Sequence, residues 1–352
     1  MTPDHVTHQH ISVSLAQQRV IVLSRLIARY RNEKMLVFAN TKADCASLAA
    51  SPLISFSGRV RALHGDIKQE ERAAVLDGFR NGTHNVVIAT DVAARGLDIS
   101  DIDMVVHYNV PQSTESYIHR SGRCGRAGRF GRVISIVGGK EKFLLQQIEK
   151  HIGFSIDGSP LPSDQDIASA GSAGLVEALT QVDRKAFMNY LPLAETLLKE
   201  KGVEILAQAL STIAGHQSSS FSFLTGTEGF TTLRVSSSKE ALANVNAVTF
   251  LHKMGGKDFG LAQSCPDGSV VIDCVTLQVK EILKTYQRKV ATDPTNPTRL
   301  EVVSELPEVS PSAQVLSFRQ GAIALDKKYL GAPKVPLLVA PEMEGLVEEK
   351  DD

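Results

Sequence analysis

The chain has 352 residues, 43% of them hydrophobic, enough to bury at least one substantial core with room for two small domains and a tail. Its formal net charge of −1 hides an asymmetry of +6 over residues 1–150, −2 over 151–290 and −5 over 291–352, so a phosphate-bearing partner is sought on the basic first part. Cys45, Cys124, Cys265 and Cys274 form no C-x-x-C pair, which speaks against a zinc or disulfide framework and for a reducing compartment; no signal-peptide core and no run near the ~18 apolar residues of a membrane span occurs.

At the start, His5, His8 and His10 alternate in HVTHQHISV. That spacing suits one face of an edge strand better than a metal cluster, because no fourth ligand accompanies it, and no metal site is expected. Short β-branched apolar runs then alternate with helix-period segments, the pattern of βα units building a parallel sheet. The predicted strands are Met35–Ala39, Val60–Leu63, Val86–Ala89, Met104–Tyr108 and Val133–Val137. The predicted helices are Gln17–Tyr30, Lys42–Ala50, Gln69–Arg80, Thr114–His119 and Glu141–His151, several opened by a Ser, Thr or Asp cap. Together they describe one doubly wound α/β domain over residues 1–153.

A turn-rich linker with Pro160 and Pro162 opens the segment 154–215, where Leu175–Val182, Arg184–Lys201 and Val203–Ala214 carry apolar residues at helical spacing. Val176, Leu179, Val182, Phe187, Leu198 and Leu206 exceed what a lone hairpin can cover, so these helices pack on the neighbouring domain or on a second copy of the chain. Alternating segments such as Phe230–Val235 and Val270–Cys274 suggest a small α+β module over 216–290. Residues 291–352 hold seven of the 14 prolines and end in EEKDD, and read as a mostly disordered tail with apolar islands at Ala322–Leu325 and Val335–Val339.

Two stretches carry the chemistry. YIHRSGRCGRAGRFGR, Tyr117 to Arg132, sets Arg120, Arg123, Arg126, Arg129 and Arg132 three apart among glycines, a spacing unsuited to a buried helix. Each guanidinium offers a permanently charged planar fork to phosphate oxygens, and glycine lets backbone approach; a solvated basic turn is the plainer alternative. VVIATDVAARGLDI, Val86 to Ile99, is an apolar strand passing into polar residues where α/β sheets bind ligands.

With LVFANTK at 36–42 and LHGDIKQEERAAVLDGFR at 63–80, these stretches resemble the DEAD-box RNA helicases in the order and spacing of four motifs over about 100 residues. The resemblance implies the second, RecA-like lobe of an ATP-dependent enzyme that unwinds or remodels RNA by closing two lobes on RNA and ATP. By it, Asp98 meets the ATP ribose, Arg123 and Arg126 are arginine fingers to the γ-phosphate, Arg95 contacts the opposite lobe, and His119 helps couple the nucleotide and RNA sites, a structural hydrogen-bonded histidine being the alternative. Thr41, Gly65, Arg72 and Thr90 would touch the RNA backbone. Cys124 stands where relatives commonly carry Thr, and a buried small side chain is expected there.

No G-x-x-x-x-G-K-[ST] and no Asp-Glu-Ala-Asp stretch occurs in the sequence. The phosphate loop and the acid that holds Mg²⁺ would therefore belong to the first lobe, and this chain alone is not expected to hydrolyse ATP efficiently. Whether that lobe has been lost from the sequence or the protein is a natural half-helicase stays open, the intact motifs favouring loss. From Lys140 onward the resemblance narrows to the nucleolar RNA helicase II/Gu branch and its organellar plant relatives, through KEKGVEILAQALSTIAGHQ and SFLTGTEGFTTLRV. It implies a dimer-forming segment within 175–214, an RRM-like GUCT domain, RNA and the first RecA lobe as partners, no membrane, and a nucleolar, mitochondrial or plastid setting. RNA stacking on Phe221, Phe223, Phe230 and Phe250 follows from the resemblance, while a core role is the alternative. A non-catalytic RNA-binding or dimerisation scaffold is the rival to the enzyme; a DNA helicase fits the arginine motif less well.

Overall fold

The computed structural model describes residues 5–55, 59–94, 102–213, 221–238, 241–293, 295–310, 316–319 and 322–324. The first part runs β1 (Val6–Val13), α1 (Gln18–Arg29), β2 (Met35–Phe38), α2 (Lys42–Ala50), α3 (Pro52–Ser55), β3 (Val60–Leu63), α4 (Gln69–Arg80), β4 (Val86–Ala89) and α5 (Asp91–Ala94). It continues through β5 (Met104–His107), α6 (Thr114–Ser121), β6 (Gly131–Gly138), α7 (Lys142–Ile152) and β7 (Asp157–Gly158). The strands form one seven-stranded sheet, β3-β4-β2-β5-β6-β1-β7, with parallel neighbours throughout.

MLVF, VVIA and MVVH are buried along their whole length because helices cover both faces of the sheet. Alternate residues of one strand therefore serve opposite cores. Leu36, Phe38, Val87, Val105 and Tyr117 pack on one face, and Met35, Val37, Ile88, Val106 and Leu26 on the other. The five predicted strands and five helices stand where the sequence placed them, and β1 and β7 widen the sheet to seven. The histidine-bearing β1 is not the edge: it lies between β6 and the two-residue β7.

Helices α8 (Asp164–Thr180), α9 (Arg184–Met188), α10 (Leu191–Lys201) and α11 (Val203–Ile213) follow. The long predicted helix 184–201 is broken at Asn189–Tyr190, where Pro192 enters the first turn of α10 and cannot continue an earlier helix. Helix α8 lies against α1, tied by Arg25 to Asp164 at 2.6 Å.

The second module reads β8 (Phe230–Ser237), α12 (Asn244–Lys253), β9 (Phe259–Ser264), β10 (Val270–Val275), α13 (Thr276–Thr292) and β11 (Thr298–Val302), the βαββαβ order of an RRM-like fold. Its antiparallel sheet runs β11-β8-β10-β9 and is extended by β12 (Leu316–Arg319) and β13 (Ala322–Ala324). The sequence put the end of this module near 290 and a tail beyond it. The structure moves that boundary, since β11 pairs with β8 from Thr298 against Ser237 to Val302 against Leu233. TRLEV alternates only Leu300 and Val302 with Arg299 and Glu301, too short a run to stand out after the prolines at 294 and 297, so the pairing rather than the pattern defines it as a strand. The apolar island at 335–339 lies outside the described residues.

Candidate functional site

Polar and charged side chains gather along the carboxyl ends of β2, β3, β4 and β5. Ala89 closes β4, Thr90 N–H donates to the Leu63 carbonyl at 3.3 Å, and Asp91 opens α5. Ser113 caps α6 by accepting from Ser116 N–H at 3.2 Å, which aims the helix at this edge. Arg120, buried near the end of α6, donates from Nε and Nη2 to the two Asp91 oxygens at 2.7 and 2.6 Å and from Nη1 to the Asn109 carbonyl at 3.3 Å. Its guanidinium lies 5.2 Å from the Phe38 ring centroid. One side chain thus pins the arginine segment to the ends of three strands, and a shallow cleft forms there, lined by Phe38, Asp91, Ser116, His119, Arg120 and Arg123.

Arg123 is half-buried in that cleft and Arg126 is exposed beside it. Burial, and then the neighbouring charge of Arg126, hold the Arg123 guanidinium below its usual pKa. Two like charges held together make a site that a polyanion relieves. Arg126 Nε donates to the Gly122 carbonyl at 3.1 Å. Between the two arginines Gly125 takes φ 69°, and a Cβ there would collide with the Val6 side chain, so the turn that pairs them requires glycine.

The expectation of five phosphate-facing arginines is corrected. Helix α6 runs on to Ser121, so Arg120 belongs to a helix and is buried there, neutralised by Asp91. Arg132 lies on β6, donates from Nη1 to both Glu33 oxygens at 3.1 and 3.0 Å, and stacks 4.4 Å from the Tyr30 ring centroid. A three-residue spacing is compatible with both a helical turn and a loop, which is why the sequence did not separate them. Cys124 is buried, its thiol pushed up to about 11 by desolvation, and it donates to the Ser121 carbonyl at 3.3 Å.

Thr41 caps α2, its Oγ1 accepting from Asp44 N–H at 3.0 Å, and Gly65 is exposed just past β3 with open space at its Cα. Lys42 and Asp66, 2.7 Å apart, tie these two loops together. Arg72 Nη2 donates to the Ala93 carbonyl at 2.7 Å, which joins α4 to α5 beside Thr90. Thr41, Gly65, Arg72 and Thr90 therefore share one edge of the sheet with the cleft of His119 and Arg123. Arg95 and Asp98 lie outside the described residues.

The sequence pattern did not mark Phe38 as a site-forming group, and it set Arg120 among the phosphate-facing arginines rather than in an internal ion pair; Asp91 stood out only as a polar residue directly after an apolar strand. His5 Nε2, His8 Nδ1 and His10 Nδ1 bond to the Gly125 carbonyl, the Tyr117 hydroxyl and the Ile156 carbonyl at 2.7, 2.8 and 2.8 Å, three separate partners. Among the described residues no group of three His, Cys, Asp or Glu is arranged to hold a metal, and no helix is long and apolar enough to cross a membrane.

A family model described as the helicase conserved C-terminal domain matches residues 18–128, and one described as the DDX21/DDX50 dimerisation domain matches 163–213. The chain is 36% identical over 241 residues to the ATP-dependent RNA helicase DDX50 of Mus musculus, covering 66% of this chain and 32% of that protein. It is 38% identical over 233 residues to the Mus musculus nucleolar RNA helicase 2, covering 65% and 27%. To the chloroplastic DEAD-box ATP-dependent RNA helicase 3B of Zea mays it is 37% identical over 217 residues, covering 61% and 29%. The chain thus spans less than a third of the length of these relatives.

Proposed function

Because the chain carries the C-terminal helicase lobe and the dimerisation domain of the DEAD-box RNA helicases related to nucleolar RNA helicase 2 and DDX50, we propose that it forms one wall of an ATP site that closes on RNA. The observation that carries this is the juxtaposition of half-buried Arg123 and exposed Arg126 around Gly125, beside a cleft at the carboxyl edge of the sheet. ATP fits the cationic pair: a triphosphate offsets the burial and the Arg126 repulsion that hold the Arg123 pKa down, and two planar forks suit its oxygens. When bound, ATP supplies the phosphoryl group whose transfer drives the cycle.

This lobe would then stabilise negative charge developing on the transferring group, through Arg123 and Arg126, an effect worth about 10³–10⁵ in rate for arginine fingers in GTPases. Arg120 does not act on the nucleotide; it holds α6 in place through Asp91. His119, on the same helix and lining the same cleft, would couple the nucleotide and RNA sites. Arg95 and Asp98 keep the interlobe and ribose roles that the motif resemblance implies. Thr41, Gly65, Arg72 and Thr90 would form a backbone-contacting row, which fixes register on RNA without reading sequence. Mg²⁺ would be held by the partner lobe, which brings the phosphate loop.

Phe187, Tyr190 and Leu193 on or beside α9 and α10, with Leu206 and Ile213 on α11, are exposed, and a second copy of the chain is proposed to cover them. The relatives' names place one in the nucleolus and another in the chloroplast, and an RNA-rich compartment of either kind suits the reading. The test joins a phosphate-loop-bearing RecA-like lobe to the front of this chain. RNA-stimulated ATP turnover is expected from the joined protein and only background from the chain alone. Turnover absent from the joined protein would leave a non-catalytic platform instead, and turnover indifferent to RNA would contradict closure of the site on RNA.

A further inference from the structure

The RRM-like module presents two faces, and the sheet face is closed. Val270, Ile272 and Cys274 of β10 point to the core under α12 and α13, so Val271 and Asp273 occupy the opposite face. There Asp273 accepts from Ser222 Oγ at 2.6 Å, Thr232 Oγ1 at 2.8 Å and Thr225 Oγ1 at 3.3 Å, which folds the 221–227 turn over the sheet. Val271 is covered by Leu224 and Val309, with Leu15 of the helicase lobe packed against them. Arg234, on the same face, is flanked at 3.9 Å by Asp267 and Glu301.

The lobe seals this closure. Gln18, fully buried at the start of α1, accepts from the Ser14 and Leu15 amides at 2.9 and 3.0 Å and donates to the Phe223 and Pro307 carbonyls, both at 3.3 Å. Phe223 is used at this junction, 5.9 Å from Arg25, and Phe250 packs on Tyr286 under the helices. Neither ring is offered for stacking on bases.

We propose that the module meets RNA instead through the outer face of α13, with Lys280, Lys284 and Arg288 gripping the phosphate backbone and Lys253 and Lys289 enlarging the grip. This rests on the reading of the chain as an RNA-acting protein. The three cations recur every fourth residue, so they stand in a row with steps of ~6 Å along the helix. All are exposed, and none forms an ion pair among the described residues. Like charges at this spacing repel, so the helix gains nothing from the row. The helix dipole accounts for Arg288 and Lys289 near the C-terminus but offers no support to Lys280 in the first half. Glu281, the one carboxylate on α13, is adjacent in sequence to Lys280 and three residues before Lys284, where it offsets one step of that repulsion but leaves Lys280 and Arg288 uncompensated along the helix. Lys289 Nζ reaches the Lys253 carbonyl at 3.3 Å, which brings the ends of α12 and α13 into one patch.

The test compares the full chain with its K280A/K284A/R288A variant, binding a labelled oligouridylate of about 20 nucleotides, longer than a single-strand site on one small domain. Affinity is followed between ~50 and ~200 mM salt. The variant is expected to bind about tenfold or more weakly at low salt, with a slope of log affinity against log salt shallower by about 2, as three lost phosphate contacts on a single strand require. Unchanged affinity and slope would overturn the proposal while leaving the chain an RNA binder. No binding by the unmodified chain would overturn the RNA reading and the proposal together. Polyglutamate binding lost in the variant, with RNA binding retained, would assign the patch to an acidic protein and overturn the proposal too.

Discussion

His8 on β1 sits against Tyr117 and Phe154, with Nδ1 bonded to the Tyr117 hydroxyl and Nε2 buried without a hydrogen-bond partner. Burial lowers its pKa from 6.5 to about 4, so the unfolded chain takes up the proton first as pH falls. Stability from this group is full above 6.5 and lost on the way to 4, roughly 2 kcal/mol of it between about pH 7.5 and pH 5. Asp273, raised to about 6 by burial, works in the opposite direction in the second module, because the folded chain binds its proton more tightly than the unfolded one. Comparing each protein's own pH difference removes that contribution and, apart from the small charge coupling between His8 and His107, that of the buried His107. Urea unfolding of the His8→Asn variant should show a pH-dependent loss smaller by roughly 2 kcal/mol than wild type; equal losses in both proteins would contradict the assignment. At this scale the sequence was legible for Arg123 and Arg126, whose setting among glycines marks a turn. It was not legible for Arg120, because a buried cation depends on a carboxylate 29 positions away that only the fold brings to it.

Among elements, the interior strands were readable because burial on both faces demands unbroken apolar runs, as in Val86–Ala89. β11 was not, since TRLEV is half-polar and exists as a strand through its pairing with β8. The break at Asn189–Tyr190 was hidden by apolar spacing that continues across it. Helices α10 and α11 expose Leu193 at 57% and Leu206 at 48% in residues 163–213, the region matching the DDX21/DDX50 dimerisation domain. Leu193→Asp with Leu206→Asp should abolish the proposed dimer in sedimentation while leaving the helical signal intact, because both side chains are exposed in the single chain. A dimer unaffected by the pair would place the contact elsewhere.

For the whole molecule, two sheets are joined through buried Gln18, and this places the second module against the back of α1 rather than on a free tether. The described parts of the motifs that announced the lobe, at 36–42, 63–80, 86–94 and 117–132, converge on one edge of the parallel sheet. Composition could not show this convergence, since it arises from βα crossovers that return each strand end to the same side. The docking of the modules was also beyond the sequence, because it is carried by backbone carbonyls at Phe223 and Pro307, which no side-chain pattern signals. The central claim is that Arg126 completes an ATP site shared with a second lobe. It is tested most directly by RNA-stimulated ATP hydrolysis of the protein joined to a phosphate-loop lobe, with and without Arg126→Ala. Turnover should fall by about 10³ or more with RNA affinity changed less than about threefold, the pattern of a group that acts in the transition state. Turnover retained within about threefold would contradict it.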